Sequence, residues 1–296
     1  MLPLAPRNRS VAMDTVGEFD IQTRQHVANA HRIVIKLGTN VIMRDDGAAA
    51  VGLLYGLIES VVNIRRDGKE ILLVSSGAIG LGAKHLGLRS SPVELALKQA
   101  CAAVGQSRLM SLYEEAFGHF DITTAQVLLT EDDFLDSVRY SNLRATLDTL
   151  LKLGVIPIVN ENDTVSTIEL DRPDQVSGSS RVFGDNDKLS ALVMTKVEAD
   201  LLVLLSDVDG LFTAHPAEDD AELVGRVDSI TPELINYAKE TNGRGRGGMA
   251  TKIEAARIVT EAGKIAVIAN GRTPAILESV CAGEDVGTVF LPKVQR

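Results

Sequence analysis

Short runs of β-branched and leucine residues alternate along this chain with longer stretches in which apolar positions recur at helical spacing. The runs are 32–38 (RIVIKLG), 70–76 (EILLVSS), 123–129 (TTAQVLL), 155–159 (VIPIV), 200–206 (DLLVLLS) and 264–269 (KIAVIA). Such nearly continuous apolar character belongs to strands covered on both faces of a parallel sheet. Helices are predicted between them, over about 50–66, 137–152 and 189–197, from Met249 onward, and over about 273–281; residues 92–117 read as two helices broken near Gly105. Strands alternating with helices, without internal repeats, predict a three-layer α/β/α sandwich around a mainly parallel central sheet. Residues 1–31 show neither period and are read as a poorly ordered N-terminal extension, leaving 32–296 as the domain.

The carboxyl ends of these strands are where the chain turns polar, and ligands of open α/β sheets bind there. The first strand ends in Lys36, Leu37 and Gly38, and the second runs into Ser75, Ser76 and Gly77. A lysine in a buried strand either snorkels to the surface or reaches a bound anion. Glycines after a strand let backbone approach a ligand, although a plain tight turn needs them equally. The fourth strand runs into Asn160, Glu161, Asn162 and Asp163, and a second cluster, Asp185 to Asp187, opens a helix. Either cluster alone is an ordinary loop or cap; two around one strand-loop-helix unit point to a polar ligand site. The glycine-rich run 243–248 leads into a helix carrying Met249 and Lys252, which is either a flexible linker or a phosphate cradle. Between the two polar clusters, 165–183 is longer than an ordinary connection and reads as a lid. The acidic stretch 218–222 reads as a solvated loop.

Composition narrows the choice of partner. A formal net charge of −10 and a pI near 5.1 argue against general affinity for nucleic acid or anionic membrane, since the long-range field repels phosphates. A phosphate site must therefore be built locally. The two cysteines, Cys101 and Cys281, form no metal-binding or disulfide pattern, which fits a reduced, cytoplasmic compartment. No apolar run is long enough to span a bilayer. The early Arg7 and Arg9 hint at a transit peptide, against which Asp14, Glu18 and Asp20 count. No P-loop, no protein-kinase triplet and no dinucleotide fingerprint occurs.

Six motifs in order, 34–38 (VIKLG), 74–79 (VSSGAI), 103–109 (AVGQSRL), 159–163 (VNEND), 184–187 (GDND) and 247–252 (GGMATK), give a resemblance that covers about 32–292. The chain resembles the glutamate 5-kinase family of the amino acid kinase superfamily. That resemblance implies ATP-dependent phosphorylation of the γ-carboxylate of L-glutamate, the first step of proline synthesis, with Mg²⁺ accompanying the nucleotide. It implies Lys36, Lys252 and Asp187 as catalytic residues, the lysines neutralising the transferred phosphoryl and Asp187 organising them. Ser76, Asn160, Asp163 and Asn186 would bind glutamate, with Asp163 facing its ammonium. Lys36, Gly38, Gly77, Ser206, Asp207, Gly248, Met249 and Lys252 would line the nucleotide, and no side-chain metal ligand is expected. Proline is expected as feedback inhibitor, and the protein as a homo-oligomer. The alternatives are another kinase of the same fold, acting on acetylglutamate or aspartate, and a silent amino acid or nucleotide sensor. Many bacterial members carry a C-terminal RNA-binding-like domain, which is not expected here; 171–182 is longer than its usual counterpart, and Arg246 stands where a small hydroxyl residue is common.

Overall fold

The computed structural model describes residues 16–17, 20–88, 92–165, 186–214, 218, 221–241 and 248–292. The expected lid at 165–183, Asp185 and Arg246 therefore lie outside the described residues, apart from Val165. The described strands form one nine-stranded sheet, in the order β1-β7-β9-β8-β6-β2-β3-β5-β4. Its centre is β8 (Ile265–Asn270), β6 (Leu201–Ser206), β2 (Arg32–Leu37), β3 (Glu70–Ser75), β5 (Ile156–Glu161) and β4 (Thr124–Leu129), every pair of neighbours parallel. Three short strands complete one edge: β9 (Thr288–Phe290) antiparallel to β8, β7 (Arg226–Val227) parallel to β9, and β1 (Val16–Gly17) antiparallel to β7.

Period-two alternation divides each central strand between two cores. Ile33, Ile35 and Leu37 point into one with Ile71, Leu73 and Ile158. Val34 points into the other with Leu72, Val74 and Leu202. The first core is covered by α3 (Val51–Arg66), α5 (Leu95–Gly118) and α11 (Ile276–Cys281), the second by α7 (Ser137–Lys152), α8 (Asn186–Lys196) and α10 (Met249–Glu261). Helices on both faces of a mostly parallel sheet are the expected three-layer sandwich.

Three expectations are corrected. Residues 20–31 are not an unpatterned tail: Ile21–Ala28 is a helix, α1, whose Asp20 cap accepts a hydrogen bond from the Thr23 backbone N–H. The Lys69 ammonium holds its end and the chain beyond it, bonding the Ala28 oxygen at 2.7 Å and the Ala30 oxygen at 2.6 Å. Only Thr23, Val27 and Ala30 turn inward while Ile21 is exposed, so the segment carries almost no apolar stripe to read. Second, the polar run after the fourth strand is partly strand, because β5 continues through Asn160 and Glu161 in register with Leu128 and Leu129.

Third, Gly105 does not break a helix: α5 is continuous over 24 residues. The glycine is there for contact. A Cβ on Gly105 would lie 1.7 Å from the Ala78 carbonyl oxygen, and one on Gly82 would lie 1.8 Å from that of Cys101. Thus α5 and α4 (Ala78–His85) meet backbone to backbone, and α4 starts immediately after the site-facing Gly77. Helix propensity alone would make Gly105→Ala stabilising by about 1 kcal/mol. Overpacking works the other way, at about 1–3 kcal/mol or more, and a 1.7 Å approach to backbone cannot be relieved by a rotamer change. With overpacking at the upper end of that range, Gly105→Ala is expected to lower the urea midpoint by a net loss of about 2 kcal/mol; an unchanged or raised midpoint would show that the two helices separate freely.

Candidate active site

At the carboxyl ends of the central strands lies a cavity of about 430 Å³. Its floor is a charge triad assembled from three elements. Lys36, next to last in β2, points to the Val34 face, where α8 supplies Asp187 and α10 supplies Lys252. The Asp187 carboxylate takes one lysine on each oxygen, Lys36 Nζ at 2.6 Å from Oδ1 and Lys252 Nζ at 3.2 Å from Oδ2. Thr251 donates its hydroxyl to Oδ2 at 2.8 Å. Asp187 is completely buried, and Lys36 and Lys252 are only 3% and 5% exposed. Burial opposes ionisation of the Asp187 carboxyl, but the two lysine charges, with hydrogen bonds from Lys36 and Thr251, hold it below its ordinary value of 3.8. Two ammoniums on one carboxylate leave the triad with one net positive charge facing the cavity.

A hydrogen-bonded amide network joins the sheet's two faces. Asn186, the first residue of α8, directs its amide N–H groups to Ser76 Oγ at 2.8 Å, Asn160 Oδ1 at 3.0 Å and the Ser75 carbonyl at 3.3 Å. Asn160, only 2% exposed, accepts also from the Glu161 backbone N–H, and donates to Gln106 Oε1 at 2.9 Å on α5. These bonds fix which way each amide faces, and Ser76, acting as acceptor from Asn186, keeps its own hydroxyl proton to donate. Gln106 belongs to the site although it lies in the middle of α5. It orients Asn160, and the signal available was its place four residues before Met110 on a buried helix face. Its Nε2 is buried with no hydrogen-bond partner.

The other end of the cavity follows β6. Ser206 and Asp207 line it together with Gly38, Asn40 and Leu205. Asn40 donates to Asp207 Oδ2 at 2.9 Å, and Arg272 donates to the Asn40 carbonyl at 3.0 Å. Desolvation alone would raise the Asp207 carboxyl, yet hydrogen bonds from Asn40, its own backbone N–H and Ser206, with the Arg272 charge, lower it. Gly77 sits between the two ends at φ +98, where a Cβ would come within 2.6 Å of Ile42 Cδ1; here both the left-handed backbone and the space require glycine.

Lys36, Lys252, Ser76, Asn160, Asp163 and Asn186 therefore share this cavity, as do Gly38, Gly77, Ser206 and Asp207. Asp187 is sealed beneath the lysines. Gly248 caps α10 and Met249 begins it, both outside the cavity lining. Glu161 of the expected polar run lines the cavity too, and so does Lys98, 7% exposed, which was not expected there. Among the described residues, no cluster of three or more His, Cys, Asp or Glu side chains could hold a metal ion, and no helix is long and apolar enough to cross a membrane.

The sequence signature of the amino acid kinase family matches residues 31–270. The fold agrees with this: carbamate kinase from Giardia lamblia bound to AMP-PNP superposes with a TM-score of 0.60 at 17% identity, over 90% of this chain and 100% of that one. UMP kinase from Bacillus anthracis gives 0.57 at 16% identity, over 90% and 97%. Sequence similarity is much higher to a narrower group. Glutamate 5-kinase of Geobacter sp. (strain M21) is 47% identical over 263 residues, spanning 88% of this chain and 68% of that protein. Those of Gloeobacter violaceus and Methanosarcina mazei are 48% and 43% identical, over 87% and 91% of this chain and 68% and 70% of theirs. The chain belongs to the amino acid kinase family, and within it to the glutamate 5-kinases.

The triad makes a stability prediction. Asp187→Asn would leave two buried ammoniums without their carboxylate, and breaking a buried pair in this way costs about 3–5 kcal/mol. Because the folded carboxyl sits below 3.8, its contribution is fully present above that pH and is lost as pH falls through the lower folded value. The stability gap between wild type and Asp187→Asn in urea unfolding should therefore be flat from neutrality to about pH 4 and shrink below it. A gap under about 1 kcal/mol at pH 7 would mean that the lysines need no counter-charge.

Proposed function

We propose that the protein transfers the γ-phosphoryl group of ATP to the γ-carboxylate of L-glutamate, giving γ-glutamyl phosphate and ADP, the first step of proline synthesis. The observation that carries the reading is the buried Lys36–Asp187–Lys252 bridge at the cavity floor, in a chain 47% identical to a glutamate 5-kinase. A carboxylate oxygen forms the new bond to phosphorus as the bond to the β-phosphate oxygen breaks. The attacking group is already ionised at neutral pH, so no general base is needed. What the protein must supply is position and positive charge around the transferring group. Lys36 and Lys252 supply it, and Asp187 fixes the distance between them.

The two ends of the cavity suit the two substrates. Ser76, Asn160 and Asn186 present oriented polar groups for glutamate, and Asp163 offers a carboxylate for its ammonium. Gly38, Gly77, Ser206 and Asp207 would line the nucleotide, with Gly248 and Met249 at the start of α10 supporting its phosphates through backbone N–H groups. Mg²⁺ would arrive with the nucleotide, since this hard cation is held largely by phosphate oxygens and waters with one or two carboxylates. Asp207, at the nucleotide end of the cavity, has oxygen-donor chemistry that suits such a cation, which would neutralise phosphate charge. A cytoplasmic enzyme fits the two buried, unpaired cysteines, and a homo-oligomer remains our expectation.

The reading is tested by following ADP release with glutamate, acetylglutamate and aspartate, with hydroxylamine present to trap an acyl phosphate. Hydroxamate is expected from glutamate alone; trapping from another acceptor in preference would reassign the substrate. In the same assay Lys36→Ala and Lys252→Ala should each lower kcat by at least about 100-fold while changing glutamate KM little, because their charges act chiefly in the transition state. Near-normal kcat would remove that lysine from the mechanism.

Proline shares the α-carboxylate and a cationic nitrogen with glutamate but has no γ-carboxylate to present to the lysines. It can therefore fill the amino acid end without reacting. Inhibition by millimolar proline should weaken as glutamate rises; inhibition that saturating glutamate leaves unchanged would place proline elsewhere.

A further inference from the structure

Glutamate brings three charges into the cavity, and the roles assigned above meet only two of them. Lys36 and Lys252 face the γ-carboxylate and the phosphoryl group, and Asp163 faces the ammonium. The α-carboxylate keeps a full negative charge and has amides and hydroxyls but no cation among these groups. Among the described residues lining the cavity, one further cation is present: Lys98.

Lys98 is an unusual lysine in its setting. It is 7% exposed, on the first turns of α5, so its charge acts on the cavity with little screening by solvent. The topology places it at the amino acid end. As the crossover between parallel β3 and β4, α5 begins beyond the carboxyl ends of the strands and runs back toward their amino ends. Farther along, its Gln106 bonds Asn160 of β5. Lys98 lies eight residues earlier, about 12 Å nearer the start of the helix, so it reaches the cavity over the end of β5. The Ser206 and Asp207 end follows β6, which is separated from β5 by β2 and β3, about 14 Å at ordinary strand spacing.

We propose that Lys98 is the α-carboxylate subsite, a specificity-determining cation that selects an α-amino dicarboxylate over acceptors carrying only the reacting carboxylate. The proposal rests on the glutamate reading and adds the group that recognises the amino acid head. It divides the cavity's cations by task, with Lys36 and Lys252 acting where phosphoryl is transferred and Lys98 acting where the acceptor is recognised. Lys98 is then a binding residue, and its loss weakens capture of glutamate without slowing transfer from a saturated site.

The test pairs a side-chain change with a matching change in the substrate. L-isoglutamine keeps the ammonium and the γ-carboxylate of glutamate but has a neutral amide in place of the α-carboxylate. Wild type is expected to prefer glutamate by about 10- to 100-fold in kcat/KM, the worth of one charge-assisted contact. Lys98→Met removes the charge at similar volume; it should raise glutamate KM by a like factor, leave kcat within about twofold and ATP KM unchanged, and abolish most of the preference over isoglutamine. Lys98→Arg should recover part of that preference. Equal losses on both acceptors, with the wild-type preference retained, would assign Lys98 a structural role and overturn the subsite. A rise in ATP KM instead would place its charge on the nucleotide and overturn it equally. A wild-type protein that phosphorylates neither acceptor would overturn the glutamate reading and the subsite together, which separates that failure from the other two.

Discussion

Two ammonium groups cannot be withdrawn from water side by side without a counter-charge, and in this protein a single carboxylate provides it for both. Asp187 has no exposed surface and gives one oxygen to Lys36 and the other to Lys252. The three residues come from β2, α8 and α10, so the ion bridge can exist only when the sheet and two helices on one face are assembled. Buried ion bridges of this kind contribute less to net stability than their contacts suggest, because desolvation offsets much of the attraction. What they enforce is geometry. Each lysine is denied any other low-energy place, and the surplus positive charge is left facing the cavity.

That local surplus resolves a conflict in the sequence. The chain carries a net charge of −10, and its long-range field disfavours polyanions, yet the reaction we assign brings together a nucleotide triphosphate and a dicarboxylate. In a buried site the nearest charges outweigh distant, solvent-screened ones. A few lysines held within the cavity therefore decide its preference, and the acidic surface bears on solubility and nonspecific association instead. The mixed lining, with Asp163, Glu161 and Asp207 among the lysines, also suits a pair of substrates that carry both signs.

The amide network places a second requirement on the fold. Alternation along the strands sends Lys36 and Ser76 to the α8 face and Asn160 to the α5 face, and Asn186 bridges them across the sheet edge. Gln106 then ties Asn160 to α5. That helix is pressed onto α4 at Gly82 and Gly105 without intervening side chains, so its distance from the site has little freedom. Packing on one face thereby sets the direction of an amide in the cavity.

The sequence by itself determined the six central strands, their parallel arrangement and the polar character of their carboxyl ends, because period-two burial and apolar runs are local signals. It also marked Lys36, Asp187, Lys252 and the Asn160 to Asp163 run, since polar groups at the ends of apolar strands and at the start of a helix are conspicuous. What belongs to no one segment was decided by tertiary structure alone. Gly105 was read as a helix break because glycine weakens a helix locally; the reason for it is the Ala78 carbonyl of another helix. Helix α1 has no apolar stripe, being held by Lys69 and by a few inward residues whose partners lie far along the chain. Gln106 and Lys98 have no local feature in the sequence that marks them as site residues. Only the crossover from β3 to β4 brings one against Asn160 and the other into the cavity, and a crossover is a long-range fact that no window of sequence contains.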